Sequence, residues 1–348
     1  MAEQPNIPVA PGPPKPTYWQ RLRTLRDRPS RWEAVGVGLL GILLALLIWH
    51  VLTMGPVEER TLSPAKLPSV SETFRTLPTL WFDRALARSA VASLSRVLGG
   101  FALATAIALP LGVLAGCYLR LDAFLLPYSV FGRNVPIAAL VPLSLIWFGL
   151  GETQKVMFIV MAAVAFILFD TVSRIRGVSD RFLDTAYTLG AKPKLRDGAM
   201  SALIPAAIYG VIMALTFSWL QEGNTLTAAL ATSSFWSLFI IGAVLGYLLW
   251  LPILGHQVIS KVLLPLALPH IVNSLRLLFG IAFGYIMLAE VINAGSGLGN
   301  LINISQRQGP REHIYLCLMI IALLAFAIDR LALWLQHRLF PYANHVQS

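Results

Sequence analysis

The chain is 348 residues long, 56% hydrophobic and only 13% charged, with a mean hydropathy of +0.69 and a formal net charge of +10. Soluble domains carry about a quarter charged residues, so this composition excludes an ordinary soluble enzyme and points to a polytopic membrane protein. The positive charge gathers beside apolar runs, at Arg21, Arg23, Arg26, Arg28 and Arg31 and again at Arg174, Arg176, Arg181, Lys192, Lys194 and Arg196, which is the Lys/Arg bias of cytoplasmic loops and not a basic groove with stacking aromatics for nucleic acid.

Residues 1–33 form a basic tail whose Pro5–Pro16 stretch is Pro-rich and unsuited to a packed core. The apolar run at 34–54 is too long for a signal-peptide core and lacks a small-residue cleavage site, so it reads as a first, uncleaved membrane anchor. Residues 55–84 lie outside, punctuated by Pro64, Pro68 and Pro78. Ala85–Val97 is amphipathic and feeds a second span, Leu98–Tyr118. After a short turn, a third span at Ala123–Leu150 carries Pro127, Pro136 and Pro142, which predict kinks. A fourth span covers Val156–Val172.

The polar loop at 176–197 returns to the cytoplasmic side by parity. Gly198–Leu220 and Ser237–Leu254 are two further span candidates, with Glu222 near the tip between them. A charge there avoids the roughly 2.5–3.5 kcal/mol cost of the bilayer centre. Leu264–Ile292 is the next span, Asn293–His313 an outer loop containing Gly295, Gly297 and Gly299, and Ile314–Leu335 the last span, before a tail at 341–348. The expectation is an all-α bundle of about eight spans with both termini cytoplasmic and no domain-sized soluble segment. Cys117 and Cys317 lie in separate apolar stretches and imply neither a metal site nor a disulfide framework.

No G-x-x-x-x-G-K-[ST] motif is present, so the chain lacks the usual phosphate loop for ATP. Gly295-Ser-Gly297-Leu-Gly299 follows an apolar helix instead of a strand, and reads as a gate-adjacent turn rather than a dinucleotide loop. Charged residues inside spans are costly and mark function by default. Arg133 and Asn134 in the third span either attract an anionic solute or, for Arg133, reach to the inner headgroups. Asn273 and Arg276 fall early in the Leu264 span, and Glu290 near its outer end, at a gate or with a structural partner. Asp170 pairs with Arg174 four residues on, and Asp329 with Arg330. Small residues in Val97–Gly116 and Gly280–Gly284 predict close helix approach.

From Leu67 onward the stretches LPSVSETFRTL, SRVLGGFALATAIALPLGVLAG, GRNVPIAALVPLSLIWFGLGETQKV, LDTAYTLGA, VLLPLALPHIVNSLRLLFG and AEVINAGSGLGNLI resemble, in this order, the permease subunits of binding-protein-dependent ABC importers. The nitrate/sulfonate/taurine type is the nearest group. The resemblance implies a type I importer permease fold. Asp184, Thr185 and Ala186 stand where the family has Glu-Ala-Ala, and Gly190 where it has its glycine. Their loop would be a coupling helix, with Arg181, Asp184, Thr185, Ala186, Gly190, Ala191 and Lys192 against a separate ATPase subunit. ATP and Mg would sit on that subunit; this chain would bind no cofactor and would not itself be an enzyme. Further implied partners are a second permease, as a homodimer, an external substrate-binding protein and membrane lipid. The location would be a bacterial inner membrane and the solute a small anion such as nitrate, sulfonate, taurine or bicarbonate. Arg133 matches an Arg of the family, and Glu290 its Ala-Glu pair. The family's Leu-Pro pair appears only at Leu264-Pro265, so about 197–257 reads as an inserted membrane hairpin. A stand-alone secondary transporter or channel is the alternative; it would show inverted repeats and mid-span carboxylates, and no convincing repeat is found.

Overall fold

The structure is a computed structural model, described for residues 29–342 apart from 57, 59, 61, 194, 223–232, 293–294 and 309–310. Most of the expected basic tail, the hairpin tip and the end of the C-terminal tail lie outside the described residues. The chain divides into two compact units, residues 1–71 and 72–348.

In the first unit, α1 (Arg31–Leu52) opens with a capping box: Ser30 Oγ accepts from the Glu33 backbone N–H, and the Glu33 carboxylate accepts from the Ser30 N–H. Its apolar residues point in all directions and stay exposed, as a helix standing in lipid requires. The Trp49 indole N–H donates to the Pro68 carbonyl at 2.9 Å.

Two short helices, α2 (Val70–Arg75) and α3 (Leu77–Phe82), precede the bundle. The bundle continues with α4 (Leu86–Cys117), α5 (Leu119–Asn134), α6 (Leu140–Phe148), α7 (Glu152–Arg176), α8 (Asp180–Thr188), α9 (Leu195–Ser201), α10 (Leu203–Glu222), α11 (Ser233–Leu254), α12 (Leu264–Ile292), α13 (Leu298–Gln308) and α14 (Arg311–Leu339). Among the described residues seven helices are long and apolar enough to cross a membrane, and one bent pair raises the number to eight.

Residues 86–97, expected to feed the second span, are the first turns of α4, a single 32-residue helix. The kink expected in the 123–150 stretch is a sharp break: α5 and the segment 137–148 meet at 87°, and together they make the eighth candidate span. Pro136 explains the break, because a residue before proline is driven out of the helical region, and Val135 is extended at φ −69°, ψ 129°. The outer loop at 293–313 contains a helix, α13.

The core lies between α4, α7 and α12, where Val97, Phe158, Ile159, Ala162, Phe283 and Ile286 are all buried. Helices α4 and α7 run parallel in fixed register. A Cβ on Gly100 would stand 2.8 Å from the Ile159 Cβ, one on Gly112 2.7 Å from the Thr171 Cβ, and one on Gly116 2.7 Å from the Ile175 Cβ. Each pair is offset by the same 59 positions (159 − 100, 171 − 112, 175 − 116), so small residues on one helix take the branched side chains of the other. Gly280 and Gly284 differ from expectation: nothing lies within 4 Å of where their Cβ would be.

Helices α10 and α11 form an antiparallel hairpin packed through Gly210 against Phe239, Gly242 against Met213 and Gly246 against Tyr209. The chain leaves for the hairpin and returns from it at one place, where Pro193 and His256 form an antiparallel β-bridge.

Candidate functional site

Two regions at opposite ends of α7 concentrate the polar chemistry. The helix has 25 residues, so its ends are about 37 Å apart.

At its C-terminal end the chain turns through Gly177 into α8, whose N-cap Ser179 is extended and whose first turn carries Asp180. Helix α8 is strongly amphipathic. Ala186 is buried and Leu183 partly so, packed on a cluster with Ile175, Val258, Ile259 and Leu263. The other side is bare: Phe182, Tyr187 and Leu189 are 50%, 57% and 82% exposed. Arg181, Asp184 and Thr185 share that exposed surface. The Thr185 hydroxyl donates back to the Arg181 carbonyl at 2.7 Å.

Gly190 ends the helix with φ +79°, and two reverse bonds close it: Gly190 N–H to the Tyr187 carbonyl at 3.0 Å and Ala191 N–H to the Ala186 carbonyl at 3.0 Å. This is a Schellman cap, which selects glycine because a Cβ is strained in the left-handed region. The next residue is pinned as well, Lys192 N–H donating to the Gln257 side-chain carbonyl at 3.2 Å. Helix α8 faces a π-helical turn, Ile259–Leu263, across a depression of about 370 Å³ floored by Phe182, Leu189, Gln257, Lys261 and Val262. Tyr118, at the joint of α4 and α5, lies beside Tyr187; burial foremost, with Cys117 and Tyr187 nearby, lifts its phenol above the ordinary tyrosine range.

At the other end, Glu290 is 0% exposed and has a structural partner, Arg96, itself 2% exposed. Arg96 uses all five of its N–H groups. Nε and Nη2 form a fork on Glu152, with Nη2 to Oε1 at 2.8 Å; Nη1 reaches Glu290 at 2.6 Å and the Ser296 carbonyl at 2.8 Å; and Nη2 also reaches the Ser296 hydroxyl at 2.9 Å. Lys155 Nζ joins Glu152 at 2.7 Å, so two cations and two carboxylates cancel. Glu290 also accepts from the Ser93 hydroxyl at 2.7 and 2.8 Å and from the Gly299 backbone N–H at 3.0 Å, while Leu298 N–H donates to the Ser93 oxygen at 2.9 Å. The carboxylate therefore sits at the N-terminus of α13, where helix N–H groups favour negative charge. Gly297 (φ +122°) and Gly299 give it room, since a Cβ on either would overlap Glu290. The glycine motif is a lid over a buried acid.

The remaining sequence candidates do not join these sites. Arg133 lies over the Phe169 ring, 3.7 Å from its centroid, and the Asn134 amide donates to the Val130 carbonyl at 2.8 Å. Asn273 is half-buried on α12. Asp170 pairs with Arg174 at 3.7 Å, and Arg174 reaches the Ser274 hydroxyl at 3.1 Å. Asp329 does not pair with Arg330. It faces Arg276 at 3.5 Å, and Arg330 lies over Phe326. Sequence reasoning missed Ser93, Arg96, Glu152 and Lys155. The available signal was Arg96 at the end of the amphipathic stretch 85–97, where it leads into the apolar run of the second span.

The family described as binding-protein-dependent transport system inner membrane component matches residues 108–258 and 254–341. The chain belongs to this family of ABC importer permeases. A Bacillus subtilis (strain 168) permease named for aliphatic sulfonates is 25% identical, covering 93% of this chain and 94% of its own. The taurine transport system permease protein of Escherichia coli (strain K12) is 24% identical over 91% and 93% of the two chains. The bicarbonate transport system permease protein of Synechococcus elongatus is 25% identical over 89% and 94%. Among solved structures, a chain of the inward-facing MetNI methionine ABC transporter superposes with a TM-score of 0.50 at 16% identity, covering 75% of this chain and 98% of that one. That likeness concerns the fold. It also leaves a quarter of this permease without a counterpart.

Proposed function

We propose that this permease carries a small anion across the membrane as one of two copies, and that α8 is where a separate ATPase subunit pushes on it. The observation that carries the reading is the bare apolar face of α8, Phe182, Tyr187 and Leu189, on a helix held rigidly from behind by Ala186 and the Gly190 cap. A globular protein seldom leaves such a patch uncovered without a partner. In this reading α8 and both termini are cytoplasmic, ATP and Mg belong to the ATPase, and a substrate-binding protein delivers the solute at the Glu290 end. The open face around Gly280 and Gly284 is the place for the second copy. Sulfonate, taurine and bicarbonate, named for the relatives, share one property: each is a small anion or carries an anionic group.

The test is purification of the tagged chain from native membranes. An ATP-binding subunit is expected to copurify in equal amount, and Leu189→Asp, at a position 82% exposed, is expected to abolish its capture. Vesicles containing this polypeptide alone that accumulate solute would overturn the reading.

The hairpin at about 197–257 we read as an insertion. Its support is the meeting of Pro193 and His256, which lets the chain depart and return without a gap. Joining the two sides with a short linker in place of Gly198–Leu254 is expected to leave a permease that still assembles with its ATPase. Complete loss of assembly would make the hairpin part of the core.

A further inference from the structure

Helix α14 carries a row of alternating rings and cations. Phe326, Arg330, Trp334 and Arg338 follow one another at four-residue steps, so they stand on one face, and all four are exposed. Each arginine leans back over the ring before it. The Arg330 guanidinium is 4.8 Å from the Phe326 ring centroid, and that of Arg338 is 5.3 Å from the Trp334 centroid. Among the described residues neither guanidinium has a carboxylate partner, and the Trp334 indole N–H has no acceptor.

The opposite face of α14 is fixed to α12. The Gln336 amide donates to the Pro269 carbonyl at 3.3 Å and the Tyr342 hydroxyl to the Pro265 carbonyl at 2.9 Å. Pro269 has no N–H, so the Pro265 carbonyl lacks its usual helical donor and takes Tyr342 instead. At about 100° of turn per residue, Gln336 lies about 200° around the helix from Trp334, and Asp329 about 140°. Asp329 is the one acid in residues 320–342, and it faces Arg276 on α12. The row therefore points away from α12 and has no anion of its own.

Its depth narrows what can supply one. The 29 residues of α14 are about 43 Å long, against a hydrocarbon core of about 30 Å. A centred helix puts Arg330 about 7 Å inside the hydrocarbon edge, too deep for a soluble protein and close enough for the side chain to reach the headgroups. A second copy meeting this face across a two-fold axis would bring the same guanidiniums and repel them.

We infer that the row binds an anionic phospholipid, its phosphate held above Trp334. Arg338 already leans back to that level, and Arg330 reaches it by leaving Phe326 and stretching toward the membrane surface. Two guanidinium forks then take the phosphate oxygens, and the indole N–H donates a further bond. Leu331 and Leu335, 63% and 48% exposed, offer the acyl chains an apolar bed. The inference needs α14 in a bilayer and nothing of ATPase docking, so its test stands whether or not the transport reading holds.

The experiment measures lipid retention on the full-length protein by native mass spectrometry, after adding equal amounts of phosphatidylglycerol and phosphatidylcholine with the same acyl chains. Phosphatidylglycerol is expected to be retained about five-fold more or better. Arg330→Gln with Arg338→Gln is expected to bring it down to the phosphatidylcholine level. Arg330→Lys, which keeps the charge and loses the fork, is expected to lower it about two-fold. Both sites are exposed, so the variants are expected to fold. Arg75→Gln with Arg120→Gln removes the same charge from exposed positions off α14 and is expected to change nothing. Equal retention of the two lipids, or an equal loss in that control pair, would overturn the site. Displacement of the lipid by millimolar inorganic phosphate would do so too, by making the row a place for a free anion. A disulfide between two copies carrying Leu335→Cys in native membranes would show that the second copy covers the row instead.

Discussion

The two ends of α7 solve the same problem in opposite ways. At the Glu152 end, Arg96, Lys155 and Glu290 from α4, α7 and α12 are withdrawn from solvent and, with the one-third-exposed Glu152, saturate one another, down to the fifth N–H of Arg96. At the Arg176 end, among the described residues, Asp122 alone is buried, paired with Arg176 at 2.9 Å, while the charges of α8 stay outside and its apolar side chains are left without cover. The first arrangement is closed, and a further partner has nothing to offer it. The second is unfinished, and only another surface completes it. The proposed coupling role uses both: an end that holds its shape and an end that receives force.

The comparison is broken most severely by Arg96→Ala. Removing one member of a buried ion network leaves uncompensated charge, here Glu290, while Glu152 keeps Lys155, and costs about 3–5 kcal/mol. The variant is expected to unfold early in detergent or fail to accumulate. A loss below about 1 kcal/mol would mean that the cluster is not the closed unit described. Next comes Gly100→Val. Its Cβ would stand 2.8 Å from the Ile159 Cβ and 2.9 Å from the Val156 carbonyl, so the α4–α7 seam must part. Overpacking of this kind costs about 1–3 kcal/mol, read as a lowered unfolding midpoint.

Gly190→Val sharpens the contrast at the other end. A β-branched residue at φ +79° carries about 1–2 kcal/mol of local strain. The expected result is near-normal membrane insertion with ATP hydrolysis uncoupled from transport in reconstituted vesicles. Coupling equal to the parent would remove Gly190 from the transmission path. Smallest in stability is Leu189→Asp, already proposed for the capture assay. An exposed substitution shifts stability by about 0.5 kcal/mol or less, so lost capture would report docking alone.

The spans were legible because length and hydropathy are local properties, and so was α8, a polar stretch between two long apolar runs. The cluster was not. Arg96 finds its partners 56 and 194 positions away, at Glu152 and Glu290, and no local pattern joins three residues from three helices. Glu152 and Lys155 looked like a solvated turn because helix termini are usually wet. Glu290 was singled out, but its depth depended on the Gly297–Gly299 lid folding back over it. The break at Val135-Pro136 was foreseen as a kink; its 87° size depends on the packing of the segments on either side. Asp329 was given its chain neighbour as partner, whereas the bundle offered Arg276 across a helix interface.

The glycine seam has a mechanical corollary. With Gly100, Gly112 and Gly116 each seated against a branched residue of α7, the two helices cannot slide past one another by less than a full notch. They travel as a single stave. In the proposed reading, a tilt applied at its foot through α8 is carried along this stave to the salt-locked head.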